Sequence, residues 1–216
     1  MPPSAGALGP TTEANLAVAR RVHDINFWGA WACCKAGGAM MIAARRGTVL
    51  NIGSMASRVH PPFGAAYSSS KAAVESMTHS LRVELAPFGI KVVYAAPTWC
   101  ATPTKDNSPM LSAEDWGRGN YGAAMEDVLA QNDPNQPGAW PPERIAARVV
   151  AAALKRRPPR VVFGGGQSRS FRFLVGCFSR GMVDRVLAGR LGLGKVAAGA
   201  AAAGAVVAGA VAVKSK

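Results

Sequence analysis

The chain has 216 residues, enough for one domain of ordinary size, and 49% of them are hydrophobic, too many for general disorder. Twenty-five Lys and Arg face 12 Asp and Glu, giving a formal charge of +13, which directs attention to anionic partners. The four cysteines, Cys33, Cys34, Cys100 and Cys177, form no C-x-x-C pair and have no His at ligand spacing, so no metal site is expected. No charged stretch followed by an apolar run opens the sequence, so no secretory signal is expected, and free thiols fit a reducing, cytosol-facing environment.

In chain order, Thr11 or Thr12 is expected to cap a helix carrying Leu16, Val18, Val22, Ile25 and Trp28. That helix continues irregularly to Arg46 and is closed by Gly47. Thr48 to Ile52 is a short apolar run, read as a strand buried on both faces. His60 to Gly64 reads as a loop, with His60 structural or solvated, and Tyr67 to Leu85 as a second helix closed by Pro87-Phe-Gly89. Ile90 to Ala95 gives the next strand. Residues 98–138 are rich in Pro, Gly, Asn and Asp, with a helical patch at Ala123 to Ala130, and read as a lid over a substrate. Pro142 to Leu154 is a third long helix, Arg160 to Phe163 a last strand, and Gly164-Gly-Gly166 a turn. Alternating strands and helices predict an α/β fold with a parallel sheet covered on both faces. The strand that ends before Ser54 is expected to leave an open apolar edge.

One constellation carries chemistry. Tyr67 follows Ser54 by 13 positions and Lys71 follows Tyr67 by four, one helical turn along the same face. A phenol titrates near ~10 and is a poor acid at neutral pH. A cation ~4 Å away favours its phenolate by roughly 4 kcal/mol at an effective dielectric of ~20. Such a trio supplies a hydroxyl to hold a carbonyl oxygen, a phenol to protonate it and an ammonium to make the phenol acidic. Tyr and Lys at this spacing also occur on ordinary solvated faces; the strand ending in Ser54 is what sharpens the signal.

The runs Gly47-Thr-Val-Leu-Asn-Ile-Gly-Ser54 and Ala66-Tyr-Ser-Ser-Ser-Lys-Ala-Ala73 resemble the core of a short-chain dehydrogenase/reductase. Asp24-Ile-Asn26-Phe-Trp-Gly29 resembles the family's segment bearing a catalytic Asn, and Ile90 to Pro97 the strand before its Pro-Gly-x-x-x-Thr loop. The resemblance implies a Rossmann-like, doubly wound parallel sheet. No G-x-G-x-x-G turn follows a strand, however, and Ser4-Ala-Gly6 looks like the end of the family's Asn-Asn-Ala-Gly segment. The expectation is therefore a sheet truncated at the N-terminus, a partial domain over residues 1–194 followed by an Ala/Gly/Val tail over 195–216. Lys71 to Val93, Leu154 to Arg160 and the run ending in Leu191-Gly-Leu193 look more narrowly like NADPH-dependent 1-acyldihydroxyacetone phosphate reductases.

On that resemblance the chain is an NAD(P)H-dependent reductase of a lipid carbonyl, with NADPH favoured over NAD. The residues that normally set this preference lie in the half that the sequence lacks. Ser54 would hold the carbonyl oxygen, Tyr67 would protonate it, and Lys71 would acidify Tyr67 and contact the nicotinamide ribose. Asn26 would anchor a relay water. Gly6, Pro97, the Cys100 backbone and Thr102 would complete the cofactor contacts, with Tyr67, Lys71 and Asn26 among them. Thr98 departs from the family's usual Gly, and its β-carbon threatens to crowd the nicotinamide.

From Lys155 to Lys195 ten basic residues face one acid, Asp184. Within 168–194 the Arg side chains interleave with a stripe of Leu174, Phe178, Met182 and Val186, read as a basic amphipathic helix. The alternative is a helix packed on the core with a solvated basic face; nucleic acid is not expected, since no recognition motif accompanies the charge. Arg156, Arg157, Arg169 and Arg172 are expected to gather near an apolar surface and meet a substrate phosphate. Val196 to Val213 reads as either a weak membrane anchor or a flexible tail. The expected setting is the cytoplasmic face of an endoplasmic reticulum or lipid-droplet membrane. The expected partners are a small lipid substrate, that membrane, and a second copy or a full-length relative. A non-catalytic docking fragment and a retinol or hydroxysteroid dehydrogenase stand as the other readings.

Overall fold

The computed structural model describes residues 8–101, 120–131 and 138–198. Helix α1 runs Leu16–His23 and is capped by Asn15, whose Oδ1 accepts from the Ala17 N–H at 2.8 Å. The cap expected at Thr11 or Thr12 is displaced because those residues belong to a preceding turn. The chain continues through a π-helical turn, Asp24–Trp28, into α2, Gly29–Ala44. Arg45, at φ 53°, ends α2 in the left-handed conformation that was expected of Gly47. Gly47 serves packing instead, since a β-carbon there would stand 2.4 Å from Met41 Sδ.

Strand β1 is Gly47–Ile52, followed by a four-residue helix α3, Ala56–Val59, that hydrophobic periodicity does not reveal. Helix α4 spans Ala65–Leu85, and its 21 residues extend about 31 Å. A 3₁₀ turn at Ala86–Phe88 and Gly89, at φ 72°, lead into β2, Ile90–Pro97. Then come α5, Met125–Gln131, and α6, Pro142–Ala153, with Pro142 at the first helical position where its missing N–H costs nothing. Strand β3, Val161–Gly164, is followed by α7, Ser168–Cys177, and α8, Arg180–Arg190.

The three strands are parallel in the order β1-β2-β3, registered Gly47 to Ile90 and Tyr94 to Val161. Alternate residues of β2 feed two cores. Val92, Tyr94 and Ala96 pack with Val49, Val74 and Met77 beneath α2 and α4. Val93 and Ala95 pack with Ile145, Val149, Ala153 and Val162 beneath α6. Helices on both faces of a parallel sheet give the expected α/β architecture. Among the described residues β1 pairs on one side only, and Ile52 at its end is 54% exposed.

The single basic helix expected over 168–194 is two helices. Phe178 and Ser179 are extended, at ψ 149° and 152°, and this break shifts the phase of α8 relative to α7. Val183 and Leu187, not Met182 and Val186, are therefore the buried residues of α8, packed with Met55, Val59, Phe171 and Leu174. Much of the expected lid lies outside the described residues, as does the tail from residue 199. Val128 of α5 is fully buried beside Phe63, Ala124 and Leu191. Among the described residues no helix is long and apolar enough to cross a membrane.

Candidate active site

Ser54 stands just past the C-terminal end of β1, where Gly53 N–H bonds Ala95 O at 2.8 Å and Met55 N–H bonds Pro97 O at 2.9 Å. These bonds carry the pairing with β2 beyond the strand and fix the Ser54 backbone. Ser54 Oγ accepts from the Ala56 N–H at 3.1 Å and so satisfies the first N–H of α3.

Beneath it lies a residue that sequence reasoning treated only as part of a strand. Tyr94 is fully buried on β2, and its hydroxyl accepts the Ser54 N–H at 3.2 Å. The same oxygen lies 3.3 Å from Ser54 O, 3.3 Å from Lys71 O and 3.1 Å from Ser57 Oγ, and its one proton serves one of them at a time. Burial pushes this phenol up to about 12, so it stays protonated. Gly53 is required alongside: a β-carbon there would sit 1.9 Å from the Tyr94 hydroxyl.

Tyr67 is the third residue of α4, and its phenol lies close enough to the Ser54 side chain for the two to interact. Lys71 follows one turn later and is 5% exposed, with Nζ 3.4 Å from Ile52 O and 5.7 Å from the Tyr67 ring centre. Burial lowers Lys71 to about 8. Burial likewise raises Tyr67, and the nearby Ser54 side chain only partly opposes that. Burial thus outweighs the acidification of Tyr67 expected from Lys71, whose amine lies nearest the Ile52 carbonyl.

Asn26 is buried in the π-helical turn, a local widening often found at functional positions. Its Nδ2 donates to Ser70 Oγ at 3.0 Å, and Ser70 Oγ donates to Tyr67 O at 2.7 Å. The structure therefore brings Asn26, Ser54, Tyr67 and Lys71 together. Pro97 is half-buried at the end of β2 and receives the Met55 N–H. Cys100 is half-buried in a bridge with Trp140, its thiol raised first by burial and then by Glu143. Gly6 and Thr102 lie outside the described residues.

Thr98 does not stand free to crowd a ligand. Its hydroxyl donates to Gly164 O at 3.2 Å and contacts Gly166 O, while its N–H bonds Gly164 O at 2.8 Å. This ties the loop after β2 to the Gly164–Gly166 turn. Gly166 must be glycine, because a β-carbon would stand 2.0 Å from Gly138 O. His60 is exposed and ends α3 in a left-handed conformation at φ 52°, which suits its structural reading. The expected Arg cluster is divided: Arg156 and Arg157 precede β3, whereas Arg169 and Arg172 follow it, at the opposite end of the strand.

Behind Ser54 runs a second polar chain that the sequence spacing did not signal. Ser57 Oγ lies 2.7 Å from Ser54 O and 2.6 Å from Glu75 Oε2, and Glu75 Oε1 pairs with the Arg58 guanidinium. Burial alone would raise the Glu75 carboxyl, but its bonds to Arg58 and Ser57 hold it below its ordinary value.

The donor set fits one end of a nicotinamide cofactor. Lys71 would offer its amine to ribose hydroxyls, and Ser54 stands at the carboxyl ends of parallel strands, where such ligands bind in open α/β sheets. A glycine-rich cradle for the pyrophosphate is not among the described residues.

The family model described as short chain dehydrogenase matches residues 3–110. The chain belongs to the short-chain dehydrogenase family. It is 31% identical over 175 residues to the short-chain dehydrogenase ptmH of Penicillium ochrochloron, covering 79% of this chain and 60% of that protein. It is 28% identical over 168 residues to the NADPH-dependent 1-acyldihydroxyacetone phosphate reductase of Saccharomyces cerevisiae, covering 77% of this chain and 55% of that protein. The chain thus spans little more than half the length of these relatives. Its fold matches a short-chain dehydrogenase from Streptomyces avermitilis with a TM-score of 0.63 at 25% identity, over 91% of this chain and 68% of that one. A short chain dehydrogenase from Burkholderia cenocepacia, solved in complex with NADP, matches in fold with a TM-score of 0.62 at 22% identity, over 86% of this chain and 67% of that one.

Proposed function

We propose that this short-chain dehydrogenase carries the catalytic half of an NADPH-dependent carbonyl reductase acting on a lipid ketone. The observation that carries the reading is the approach of the Tyr67 phenol to the Ser54 side chain, with Lys71 buried one turn further along α4. Two hydroxyls held close together can both turn toward one carbonyl oxygen between them. A reduced nicotinamide, when bound, supplies the hydride. Tyr67 gives its proton to the oxygen as negative charge develops there, and Ser54 donates a second hydrogen bond. The Tyr67 phenolate left behind is stabilised by the Lys71 ammonium, an attraction that grows as the phenol loses its proton. Asn26, through Ser70, fixes the Tyr67 backbone and borders a path by which water returns the proton.

For substrate we favour an acyl ketone phosphate of the 1-acyldihydroxyacetone phosphate kind, on the strength of the sequence resemblance and the yeast relative. Retinoid or steroid ketones are the nearest competitors. The cytoplasmic face of an endoplasmic reticulum or lipid-droplet membrane is the setting we assign. The outward faces of the π-helical turn, α2 and α4, with Trp28 and Trp31 at 55% and 46% exposure, suit a second copy of the chain or a longer relative.

NADPH titration, followed by turnover on phosphorylated and neutral ketones, tests the reading. Binding, together with turnover abolished by Tyr67→Phe at near-normal NADPH affinity, supports it. Failure to bind NADPH would instead favour a fragment that works by docking.

A further inference from the structure

The outer faces of α7 and α8 combine exposed apolar side chains with arginines, and the proposed chemistry uses none of them. Phe173 is 62% exposed, Phe178 39%, Met182 44% and Val186 38%. The Phe173 and Phe178 rings meet edge-on with centroids 5.6 Å apart, forming an aromatic ridge across the break between the helices. Arg169 lies one turn before Phe173, while Arg185 lies one turn beyond Met182, so basic and apolar residues share each outer face. Asp184, the one acid between Lys155 and Lys195, is drawn into an ion pair with Arg180 at 3.4 Å.

This exposure does not come from helices that fail to pack. The inner side of the pair is seated on the body of the protein, with Val183 2% and Leu187 7% exposed against Met55 and Val59. A helix pair anchored on one side and offering aromatic residues beside arginines on the other matches a bilayer interface. There the rings sink between acyl chains, and the guanidinium groups remain at the depth of the phosphates, which they bind with paired N–H donors.

We infer that α7 and α8 dock this chain on an anionic lipid surface, with Phe173 and Phe178 inserted and Arg169 and Arg185 on the head groups. The inference deepens the lipid-substrate reading and gives it a geometry. The inner side of α7 and α8 rests on Met55 and Val59, in the segment that follows Ser54, so the thickness of this helix pair separates the docked surface from the candidate active site. Docking itself is measured without turnover, so it stands or falls separately from the reductase assignment.

The test is co-sedimentation of the full chain with vesicles of phosphatidylcholine alone and of phosphatidylcholine mixed with phosphatidylserine. The unaltered chain should bind the mixed vesicles, weakly at high salt, and bind the neutral ones far less. Phe173→Ser with Phe178→Ser, and separately Arg169→Glu with Arg185→Glu, should each weaken binding by more than about tenfold. All of these positions are exposed, and far-UV circular dichroism should show both variants folded. Three outcomes would overturn the inference: no binding by the unaltered chain; binding that both variants retain, which would hand the membrane contact to the tail; or self-association or RNA binding, lost in these variants, in place of vesicle binding. NADPH affinity measured on the same samples shows independently whether the reductase reading survives.

Discussion

The hydroxyl of Tyr94 on β2 accepts the N–H of Ser54 at the end of β1, across 3.2 Å of buried space. A fully buried phenol thereby holds the backbone of the residue that would grip a substrate oxygen, and it also lies within reach of the Lys71 carbonyl on α4. Tyr94→Phe removes every one of these contacts at nearly constant volume. It leaves the Ser54 N–H without this partner, which should cost about 1–3 kcal/mol in urea unfolding. A variant as stable as the parent would show that water or a shifted backbone replaces the phenol.

Gly53 and Tyr94 should behave as one unit. A β-carbon at Gly53 would meet the hydroxyl at 1.9 Å and the ring at 2.0 Å, so Gly53→Ala should destabilise by roughly 1–3 kcal/mol. Tyr94→Ala opens that space at the cost of a cavity. In the double variant the two losses should sum to clearly less than their separate values. Strict additivity, measured by thermal or urea unfolding, would mean that the loop after β1 moves aside instead.

Lys71 should leave a signature in the pH dependence of stability. Its folded value of about 8 lies below its ordinary 10.5. Between these values the unfolded chain binds a proton that the folded chain has released, so stability rises with pH in that window. The gap corresponds to roughly 3 kcal/mol. Lys71→Met should therefore be the more stable protein near pH 7 and lose that advantage as the pH climbs above about 8. An advantage that stays constant across the window would show that Lys71 titrates as if exposed.

Glu75 should act in the opposite direction. Its carboxyl is held below its ordinary 4.5 by Arg58 and Ser57, so the stability it contributes is present above that value and lost as the pH falls below it. Glu75→Gln should cost about 1–3 kcal/mol at pH 7 and make acid unfolding shallower. An acid transition identical in the two proteins would assign acid sensitivity to other carboxylates.

What the sequence made legible was local or strictly patterned. Tyr67 and Lys71 are four apart on one helix, so their common face follows from helical geometry alone. The alternation along β2 separates Val93 and Ala95 from Val92, Tyr94 and Ala96, as an apolar strand buried on both faces requires. The Tyr94 hydroxyl was opaque because its partners lie 37 and 40 positions away and meet it only after the sheet has formed. The protonation of Lys71 was opaque for the same reason, since spacing carries no information about desolvation. The stripe through Leu174, Phe178, Met182 and Val186 assumed an unbroken helix, and two extended residues between α7 and α8 were enough to rotate it away from the core. Asn15 took the cap expected of Thr11 or Thr12 because the chain turns before it, and competing caps a few residues apart are decided by that path.

The π-helical turn at Asp24–Trp28 also constrains how this chain can change length. Its wider ring houses one residue more than a regular turn, so removing a single amino acid there would let the whole line wind as an ordinary helix. The helices on either side would keep nearly their present phase, because the wide ring had absorbed the extra residue. Asn26 would turn away from Ser70 although neither side chain had been altered. A one-residue deletion in this short stretch should therefore disturb the candidate site while sparing the helices around it.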